Sequence, residues 1–202
     1  NTNIPKVIGS VRQYQLAANQ KDSTIAAYFW HTIVNHHTYV NGGNSNYEYL
    51  GPQDQLNNRL SDNNTETCNS YNMLKLTAHL FTLNPSAHYG DYYERTLYNH
   101  ILATQEKDSG MLAYFVPLRM GGKKSYSTKF NSFWCCVGSG IENHAKYNEA
   151  IYFKSADGGL YVNLFIPSVL SWKEKNLQIT QSTNFPEENF TTLQIAATRP
   201  AV

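Results

Sequence analysis

The spacing of the apolar residues changes near residue 151, and this change restricts the folds open to the chain. Before it, apolar side chains recur three and four positions apart, which is the pattern of amphipathic α-helices. After it, apolar residues alternate with polar ones or form short runs separated by turn residues, which is typical of β-strands. The helices are expected at residues 4–17, 22–34, 65–83, 86–104 and 137–150, and the strands at residues 151–153, 160–166, 177–180 and 190–195. The sequence therefore predicts a mainly α chain with a β C-terminal part, divided into domains at residues 1–150 and 151–202.

Two segments of the predicted helical part are not helical in pattern. Residues 39–64 are rich in Gly, Asn, Ser and Asp, and this stretch is too long to be a simple connector in a compact domain. Long loops of this kind carry function or are disordered, and the Gly-Gly-Asn-Ser turn within it favours a shaped loop. Residues 110–133 contain two short apolar or aromatic stretches, 112–116 and 125–127, which predict a hairpin.

The charge and hydropathy of the chain exclude some partners. A formal net charge of +1 provides no basic surface for nucleic acid, and no apolar run is long enough to span a membrane. The fifteen tyrosines lie largely in polar, Asn-rich surroundings, which suits sugar recognition, although burial with a satisfied hydroxyl accounts for most tyrosines in proteins. We recognise no targeting segment, and the sequence specifies neither compartment nor oligomeric state.

The three cysteines form an unusual set together with Glu66. Cys68 follows Glu66 by two residues, whereas Cys135 and Cys136 are adjacent. An odd number of thiols is a poor disulfide framework, and adjacent cysteines rarely form a disulfide because the ring is strained. One carboxylate and three sulfurs match the number and kind of ligands that a tetrahedral zinc ion accepts. The alternative interpretation is that all three cysteines are small buried hydrophobic residues, as free cysteines often are.

Helix geometry limits how Glu66 and Cys68 can bind one ion. Residues two positions apart do not share a helical face, so the two side chains can converge only at an irregular helix start. Asn64 or Thr65 is a reasonable cap for such a start. The pair Cys135-Cys136 needs a bend for the same reason.

Gly138 and Gly140, just downstream of the adjacent cysteines, would permit that bend. A closed site with four protein ligands would be structural, whereas catalysis needs an open position or a ligand that can leave. A thiolate bound to zinc would also be a nucleophile near neutral pH. The residues alone leave the structural and the catalytic interpretations open.

Glu48 is a second carboxylate of interest because it lies between two tyrosines in the middle of the long loop. An acid held between aromatic rings could have a raised pKa and serve as a general acid. The alternative is an ordinary solvated glutamate. The histidines at positions 36, 37, 79, 88, 100 and 144 lack the spacing of the zinc protease motif, and we expect them to be surface or satisfied residues.

Five stretches of sequence carry a resemblance to a known enzyme family. They are Asn-Thr-Asn-Ile-Pro-Lys-Val-Ile-Gly at residues 1–9, Gly-Gly-Asn-Ser at 42–45, Thr-Glu-Thr-Cys-Asn-Ser-Tyr-Asn-Met-Leu-Lys-Leu at 65–76, Asp-Tyr-Tyr-Glu-Arg-Thr-Leu-Tyr-Asn-His-Ile-Leu at 91–102 and Ser-Phe-Trp-Cys-Cys-Val-Gly-Ser-Gly-Ile-Glu at 132–142. Together with Glu48, they resemble the β-L-arabinofuranosidases of glycoside hydrolase families 127 and 146, over essentially the whole chain. The resemblance implies an (α/α)6 barrel followed by a β-sandwich. Residues 1–150 would be the C-terminal half of the barrel domain, and residues 151–202 the start of the sandwich.

The same resemblance implies a retaining hydrolase that releases L-arabinofuranose from β-L-arabinofuranosides in an arabinose-containing glycan. Cys135 would be the nucleophile and Glu48 the general acid/base. The implied ligands of a Zn²⁺ ion are Glu66, Cys68, Cys135 and Cys136. Tyr114 matches, less securely, a substrate-binding tyrosine near the nucleophile, and its alternative role is that of an aromatic residue in a core strand.

Two other functions stay open at the level of sequence. The first is a non-catalytic, zinc-stabilised sugar-binding or structural fragment, because a partial barrel would leave apolar helix faces uncovered. The second is a related α/α-barrel hydrolase that acts on another sugar, because a fold does not determine a substrate.

Overall fold

The computed structural model describes residues 2–197 of the chain, which form two compact units. The first ends at Tyr147 and the second begins at Asn148. Parts of both predicted domains, namely residue 1 and residues 198–202, lie outside the described residues. The first unit is helical and the second contains small antiparallel sheets.

The described part of the first unit contains five α-helices joined by long loops. Their bounds are α1 Asn3–Ala17, α2 Gln20–His36, α3 Thr67–Leu83, α4 Ala87–Thr96 and α5 Cys135–His144. Short 3₁₀ turns cover Asn57–Arg59 and Leu102–Thr104, and a third, Tyr147–Ala150, begins at the last residue of this unit. None of the described helices combines the length and the apolar character that crossing a membrane requires.

Helix α3 lies at the centre of this unit and contacts each of the other four α-helices directly. Its Met73 and Leu76 are fully buried, and Leu80 is nearly so, as the apolar spacing predicts. Trp30 of α2 is also fully buried, and its ring N–H donates to the Thr77 hydroxyl at 2.8 Å. Each of these large side chains contributes about 1.5–3 kcal/mol through burial. The core therefore fixes the position of α3, whose first turn carries two of the predicted site residues.

The predicted helix at 86–104 is wrong in its second half. Helix α4 ends at Thr96, and the chain continues as a wider π-helical turn over Leu97–Ile101 before the 3₁₀ turn. The wide turn carries His100, which is fully buried and donates from Nε2 to the Thr65 carbonyl at 2.8 Å. Single π-turns within helices often occur at functional sites.

The predicted hairpin at 110–133 is confirmed only in part: the two stretches meet in one antiparallel bridge, Ala113 with Tyr126, and neither forms a regular strand in the described chain. Its backbone bonds go to several partners: Ala113 N–H donates to Thr104, Ser127 N–H donates to Leu112, and Val116 N–H donates to Asn64. The Tyr114 carbonyl accepts from Thr67 N–H at 3.0 Å. Residues 112–116 are thus held against the start of α3 instead of forming a regular ladder with 125–127.

Helix α5 begins at Cys135, two residues earlier than predicted, and ends at His144 instead of residue 150. The predicted bend at the cysteine pair is the point where the extended Trp134 meets the first helical residue, Cys135, whereas Gly138 and Gly140 lie within the helix and do not form it. Gly140 instead permits close packing, because a Cβ atom there would lie 2.5 Å from Leu112 Cδ1.

The second unit consists of antiparallel strands, as the alternating pattern predicts. Strand β1 (Tyr152–Lys154) pairs with β2 (Leu160–Val162), and the strands β3 (Ser168–Trp172), β4 (Leu177–Thr183) and β5 (Thr191–Ala197) form a sheet in that order. The sequence interpretation missed β3. Strand β2 is shorter than predicted and ends at Val162, after which the Asn163 N–H bond to the Ile151 carbonyl continues the pairing for one more step.

Candidate metal centre and adjacent acid

The structure brings together the four residues predicted to hold a metal ion. One ligand atom from each of Glu66, Cys68, Cys135 and Cys136 lies within 4.8 Å of all the others. Cys136 Sγ is 3.3 Å from Cys68 Sγ, 3.8 Å from Cys135 Sγ and 3.9 Å from a Glu66 carboxylate oxygen. Cys68, Cys136 and Glu66 are buried, whereas Cys135 is exposed.

These separations fit a tetrahedral zinc ion. Zinc–sulfur bonds of about 2.3 Å place neighbouring ligand atoms about 3.8 Å apart at the corners of a tetrahedron. The three distances from Cys136, 3.3–3.9 Å, bracket that value, and all the separations are within 4.8 Å. Three sulfurs and one carboxylate are also donors that zinc accepts. The four residues could therefore hold a metal ion, and their donor atoms are ones that zinc accepts.

Two helix N-termini supply all four ligands. Glu66 is the N-cap of α3, in extended conformation, and Cys68 lies in the first turn. Cys135 and Cys136 are the first two residues of α5, after the extended Trp134. The irregular start predicted for Glu66 and Cys68 is confirmed, but the capping position is Glu66 itself and not Asn64 or Thr65. The positive ends of both helix dipoles favour thiolates here.

Burial and the mutual repulsion of neighbouring charges disfavour more than one negative charge on the cluster without a cation. The hydrogen bond from the Cys136 thiol lowers the pKa of Cys68, and the same bond raises the pKa of Cys136. Burial, with a further contribution from the charge on Cys68, raises the pKa of Glu66 to about 8. Burial also raises the pKa of Cys135. A divalent cation would remove this mutual repulsion.

A strained residue precedes the Glu66 ligand. Thr65 is fully buried with φ 47°, a left-handed backbone that is rare for a β-branched residue. Five hydrogen bonds hold it: its N–H donates to Ser45, its hydroxyl donates to Val116 and accepts from Asn41, and its carbonyl accepts from His100 and from Val116 N–H. The Ser45 hydroxyl also accepts from Glu66 N–H at 3.0 Å. This network fixes where the Glu66 side chain leaves the backbone.

The sequence interpretation missed the hydrogen bonds around Thr65, although the glycine pair at residues 42–43 indicated a close backbone approach. Gly43 packs so closely on Thr65 that a Cβ atom would lie 2.3 Å from the Thr65 Cβ. The Gly-Gly-Asn-Ser turn therefore has its shape because it must pass next to Thr65. His100 was expected to be a surface or satisfied histidine, but it is fully buried and only half satisfied: Nε2 donates to a carbonyl, whereas Nδ1 has no hydrogen-bond partner among the described residues. Burial lowers the pKa of His100 to about 4.

Helix α5 carries a further contact to the cluster. The side chains of Ser139 and Cys68 meet at 2.9 Å between Oγ and Sγ. One turn later, the Tyr71 hydroxyl donates to Glu142 at 2.8 Å. Both contacts join residues 71 positions apart, so α3 and α5 run side by side in the same direction. Ser139 could have been found from its position three residues after Cys136, on the same helical face.

Glu48 lies at a tight turn that projects toward the cluster. Asn46 and Tyr49 exchange backbone hydrogen bonds of 3.0 and 3.1 Å across the turn. Tyr47 and Glu48 between them have φ of 49° and 67°, a conformation that usually calls for Asn-Gly. Two non-glycine residues in left-handed conformation are strained, and such strain concentrates at functional sites.

Tyr114 links this acid to the cluster. Its hydroxyl donates to a Glu48 carboxylate oxygen, and the same hydroxyl oxygen is 3.7 Å from Cys135 Sγ. Burial, with hydrogen bonds to Glu48 and Cys135, raises the pKa of Tyr114, so the hydroxyl keeps its proton. The predicted site residues thus form one continuous group: Glu48, Tyr114, Cys135 and the other three ligands.

Two family models match this chain. Residues 1–149 match the family model of the β-L-arabinofuranosidase GH127 catalytic domain, and residues 159–202 match the model of the GH127 middle domain. A search of curated proteins gave no match.

Solved structures share the fold at low sequence identity. A GH127 β-L-arabinofuranosidase from Geobacillus stearothermophilus T6 is 18% identical with a TM-score of 0.80, over 96% of this chain and 32% of that one. A second structure, described as a GH127 β-arabinofuranosidase, is 23% identical with a TM-score of 0.81, over 95% of this chain and 30% of that one. A third, described as a glycoside hydrolase, is 20% identical with a TM-score of 0.76, over 94% of this chain and 36% of that one. The chain spans about a third of the length of each of these structures.

Proposed function

The chain belongs to glycoside hydrolase family 127, the β-L-arabinofuranosidases, and from this premise we propose that it carries the reacting groups of a retaining hydrolase that releases L-arabinofuranose from β-L-arabinofuranosides. The observation that supports the proposal best is the placement of Tyr114. Its hydroxyl lies between the Glu48 carboxylate and the Cys135 sulfur, beside a cluster with the spacing of a zinc site. An acid and a nucleophile that share one neighbour are the two groups that such a reaction needs.

The spacing of the two groups supports retention of configuration. Because both lie within contact distance of one hydroxyl oxygen, the Glu48 carboxylate and the Cys135 sulfur are less than about 7 Å apart. Retaining enzymes hold their two reacting groups about 5–5.5 Å apart, whereas inverting enzymes leave room for a water molecule between them. The bound includes the retaining distance, and a cysteine beside the acid supplies the nucleophile that a double displacement needs.

In the first step Glu48 gives its proton to the glycosidic oxygen while the Cys135 sulfur attacks the anomeric carbon. The carbon–oxygen bond breaks, and a thioglycosyl bond to Cys135 forms. In the second step the Glu48 carboxylate takes a proton from water, whose oxygen attacks the same carbon. The carbon–sulfur bond then breaks, and Cys135 leaves as a thiolate. Tyr114, which keeps its proton, orients Glu48 through their hydrogen bond.

We assign the cluster of Glu66, Cys68, Cys135 and Cys136 to a Zn²⁺ ion. When bound, zinc would keep the Cys135 thiol deprotonated at neutral pH and stabilise the sulfur as it leaves. Cys135 is the exposed member of the four, which is the position from which a ligand can also reach a substrate.

The family also supports a proposal for the architecture. We infer that α1–α5 belong to an (α/α)6 barrel and that the strands begin a β-sandwich, with the domain boundary near residue 150. Activity and substrate are proposed for the complete protein that contains this chain.

The test replaces the two reacting groups in the complete protein. We expect Cys135→Ser and Glu48→Gln each to lower kcat/KM on a chromogenic β-L-arabinofuranoside by at least about 10³-fold, because each removes a group that takes part in bond breaking. Zinc content is measured for each variant. Glu187→Gln, at an exposed glutamate of the second unit, is the matched control and should retain wild-type kinetics.

Turnover retained in Cys135→Ser with zinc still bound would contradict the nucleophile assignment. Bound zinc without turnover in the wild-type protein would favour the alternative function, a non-catalytic zinc-stabilised sugar-binding protein. Turnover of another glycoside but not of the arabinofuranoside would keep the mechanism and change the sugar.

A further inference from the structure

A groove of about 450 Å³ lies in the first unit, where α1 and α3 end and α2 and α4 begin. Its lining includes three tyrosines, one from each of α1, α2 and α4, namely Tyr14, Tyr28 and Tyr89. This volume is within the range of small-molecule sites, which run from about 300 to 1,000 Å³. We call it the tyrosine groove.

The tyrosine groove is separate from the metal cluster. Leu83 and Asn84, at the end of α3, line the groove, whereas Cys68 lies in the first turn of the same helix. A helix rises about 1.5 Å per residue, so Leu83 is about 22 Å from Cys68 along the helix axis. A small molecule held in the groove would therefore not reach the reacting groups.

Tyr89 is a buried side chain whose polar group is unused. It is 6% exposed, and its ring packs on the buried Trp30 ring with the centroids 4.5 Å apart. No hydrogen bond joins its hydroxyl to another of the described residues, and burial raises the pKa of Tyr89, so the hydroxyl keeps its proton. Buried tyrosine hydroxyls usually have a hydrogen-bond partner. The groove that Tyr89 lines is the place from which a ligand can supply one.

The other polar groups of the lining can also bind hydroxyls. The side chains of Ser23 and Thr24 both donate to the Gln20 carbonyl at 3.0 Å, so their oxygens remain available as acceptors. The side-chain amide of Asn84 provides both donors and an acceptor. Tyr28 is 73% exposed, so its ring offers a flat apolar surface beside these polar groups.

The lining carries no charge among the residues that the structure describes there. An ionic ligand would leave water without gaining an opposite charge, which is unfavourable. A neutral ligand with hydroxyl groups at its edge and C–H groups on its faces matches both the polar groups and the tyrosine rings. Sugar rings have this combination.

We propose that the tyrosine groove is a second carbohydrate site, whose ligand is a neutral sugar residue of a glycan. The Tyr28 ring packs on the C–H face of the sugar, and the Tyr89 hydroxyl donates to one of its oxygens. This site would bind the sugar whether or not the protein hydrolyses it, so it does not depend on the proposed function.

The experiment measures binding by calorimetry in the complete protein, with Glu48→Gln present so that turnover is slow. The probes are three neutral disaccharides, made of arabinose, of xylose and of galactose. We expect at least one to bind in the tyrosine groove. Tyr89→Phe keeps the ring on Trp30 and removes only the hydroxyl, so it should weaken this binding about fivefold, the loss of one hydrogen bond.

Tyr28→Ala removes a ring surface and should weaken the same binding about tenfold. Tyr161→Ala, at an exposed tyrosine of the second unit, is the matched control and should leave the affinity unchanged. Thermal melting verifies that each variant is folded.

Hydroxyl-radical labelling, mapped by mass spectrometry, locates the bound sugar. The disaccharide that binds should protect Tyr28 from labelling but not Tyr161, and trigalacturonic acid, an anionic comparator, should protect neither. Tyr28 labelling that none of the three disaccharides reduces, or an affinity that neither variant changes, would overturn the site. Equal protection of Tyr28 by trigalacturonic acid would overturn the assignment of a neutral ligand.

Discussion

At the scale of single residues, backbone strain is concentrated around the candidate site. Tyr47, Glu48 and Thr65 all have left-handed backbones, and each costs on the order of 1–2 kcal/mol for a residue other than glycine. Glu48 is the proposed acid and Tyr47 precedes it in the same turn, whereas Thr65 precedes a proposed metal ligand. The surrounding hydrogen bonds must offset this cost. His100 is the residue through which that offset can be measured.

We expect the burial of His100 to make stability depend on pH. Its pKa is about 4 in the folded chain and 6.5 ordinarily, so the unfolded state binds the proton first. The stabilisation is complete above pH 6.5 and is lost as pH falls toward 4, a change of about 3 kcal/mol in the free energy of unfolding. His100→Gln keeps an N–H donor for the Thr65 carbonyl but does not titrate, so denaturant unfolding between pH 4.5 and 7.5 should show a flatter profile.

The control for this measurement is His88→Gln, at an exposed histidine of α4, which should retain the wild-type profile. A His100→Gln variant whose stability falls with pH as steeply as that of the wild type would show that the buried imidazole does not set the dependence. The measurement would then point to other titrating groups.

At the scale of elements, the site depends on how closely α5 packs. Helices α3 and α5 start at the same cluster and run in the same direction, as the Cys68–Ser139 and Tyr71–Glu142 contacts show. Leu112, which is buried, packs on α5 at Gly140. A Cβ atom would have free space at Gly138 but would meet Leu112 at Gly140. The same substitution at the two glycines of α5 therefore tests how closely the helix packs.

We expect Gly138→Ala to stabilise the chain and Gly140→Ala to destabilise it. A Cβ at position 138 meets nothing within 4 Å, so the substitution gains helix propensity of up to about 1 kcal/mol. A Cβ at position 140 would lie 2.5 Å from Leu112 Cδ1, and overpacking of this kind costs about 1–3 kcal/mol. Thermal melting of both variants measures the difference. Equal shifts of the same sign would mean that Leu112 yields freely and that α5 does not pack tightly here.

The elements also show how far the sequence could predict the molecule. Apolar spacing located α1, α2 and α3, and ligand chemistry together with the family resemblance identified the four cluster residues. Spacing could not predict the π-turn at Leu97–Ile101 or the pairing of residues 112–116 with the start of α3, because both depend on backbone hydrogen bonds to distant residues. The left-handed Thr65 has the same origin: Ser45, Val116 and His100 hold it, and none is a sequence neighbour.

At the scale of the whole molecule, the cluster joins parts of the chain that are far apart in sequence. Glu66 and Cys68 are about 70 residues from Cys135 and Cys136, and all four lie in the first unit. A metal ion bound by all four would close a loop of that length. In the chain-entropy treatment of a cross-link, closure of such a loop stabilises the folded state by about 4 kcal/mol. The ion would therefore act on stability as well as on Cys135.

We expect removal of the metal ion to lower the Tm of the protein by about 10 °C, because each kcal/mol corresponds to roughly 2–4 °C for a domain of this size. The protein is melted as purified, after treatment with a zinc chelator, and after zinc is added back. Added zinc should restore the original Tm, whereas magnesium should not, since thiolates are poor ligands for it. Cys136→Ser is the control, because a protein that cannot hold the ion should melt at the same temperature with and without chelator. A wild-type Tm that is insensitive to chelation, with metal loss verified by elemental analysis, would show that the cluster does not link the starts of α3 and α5 through an ion.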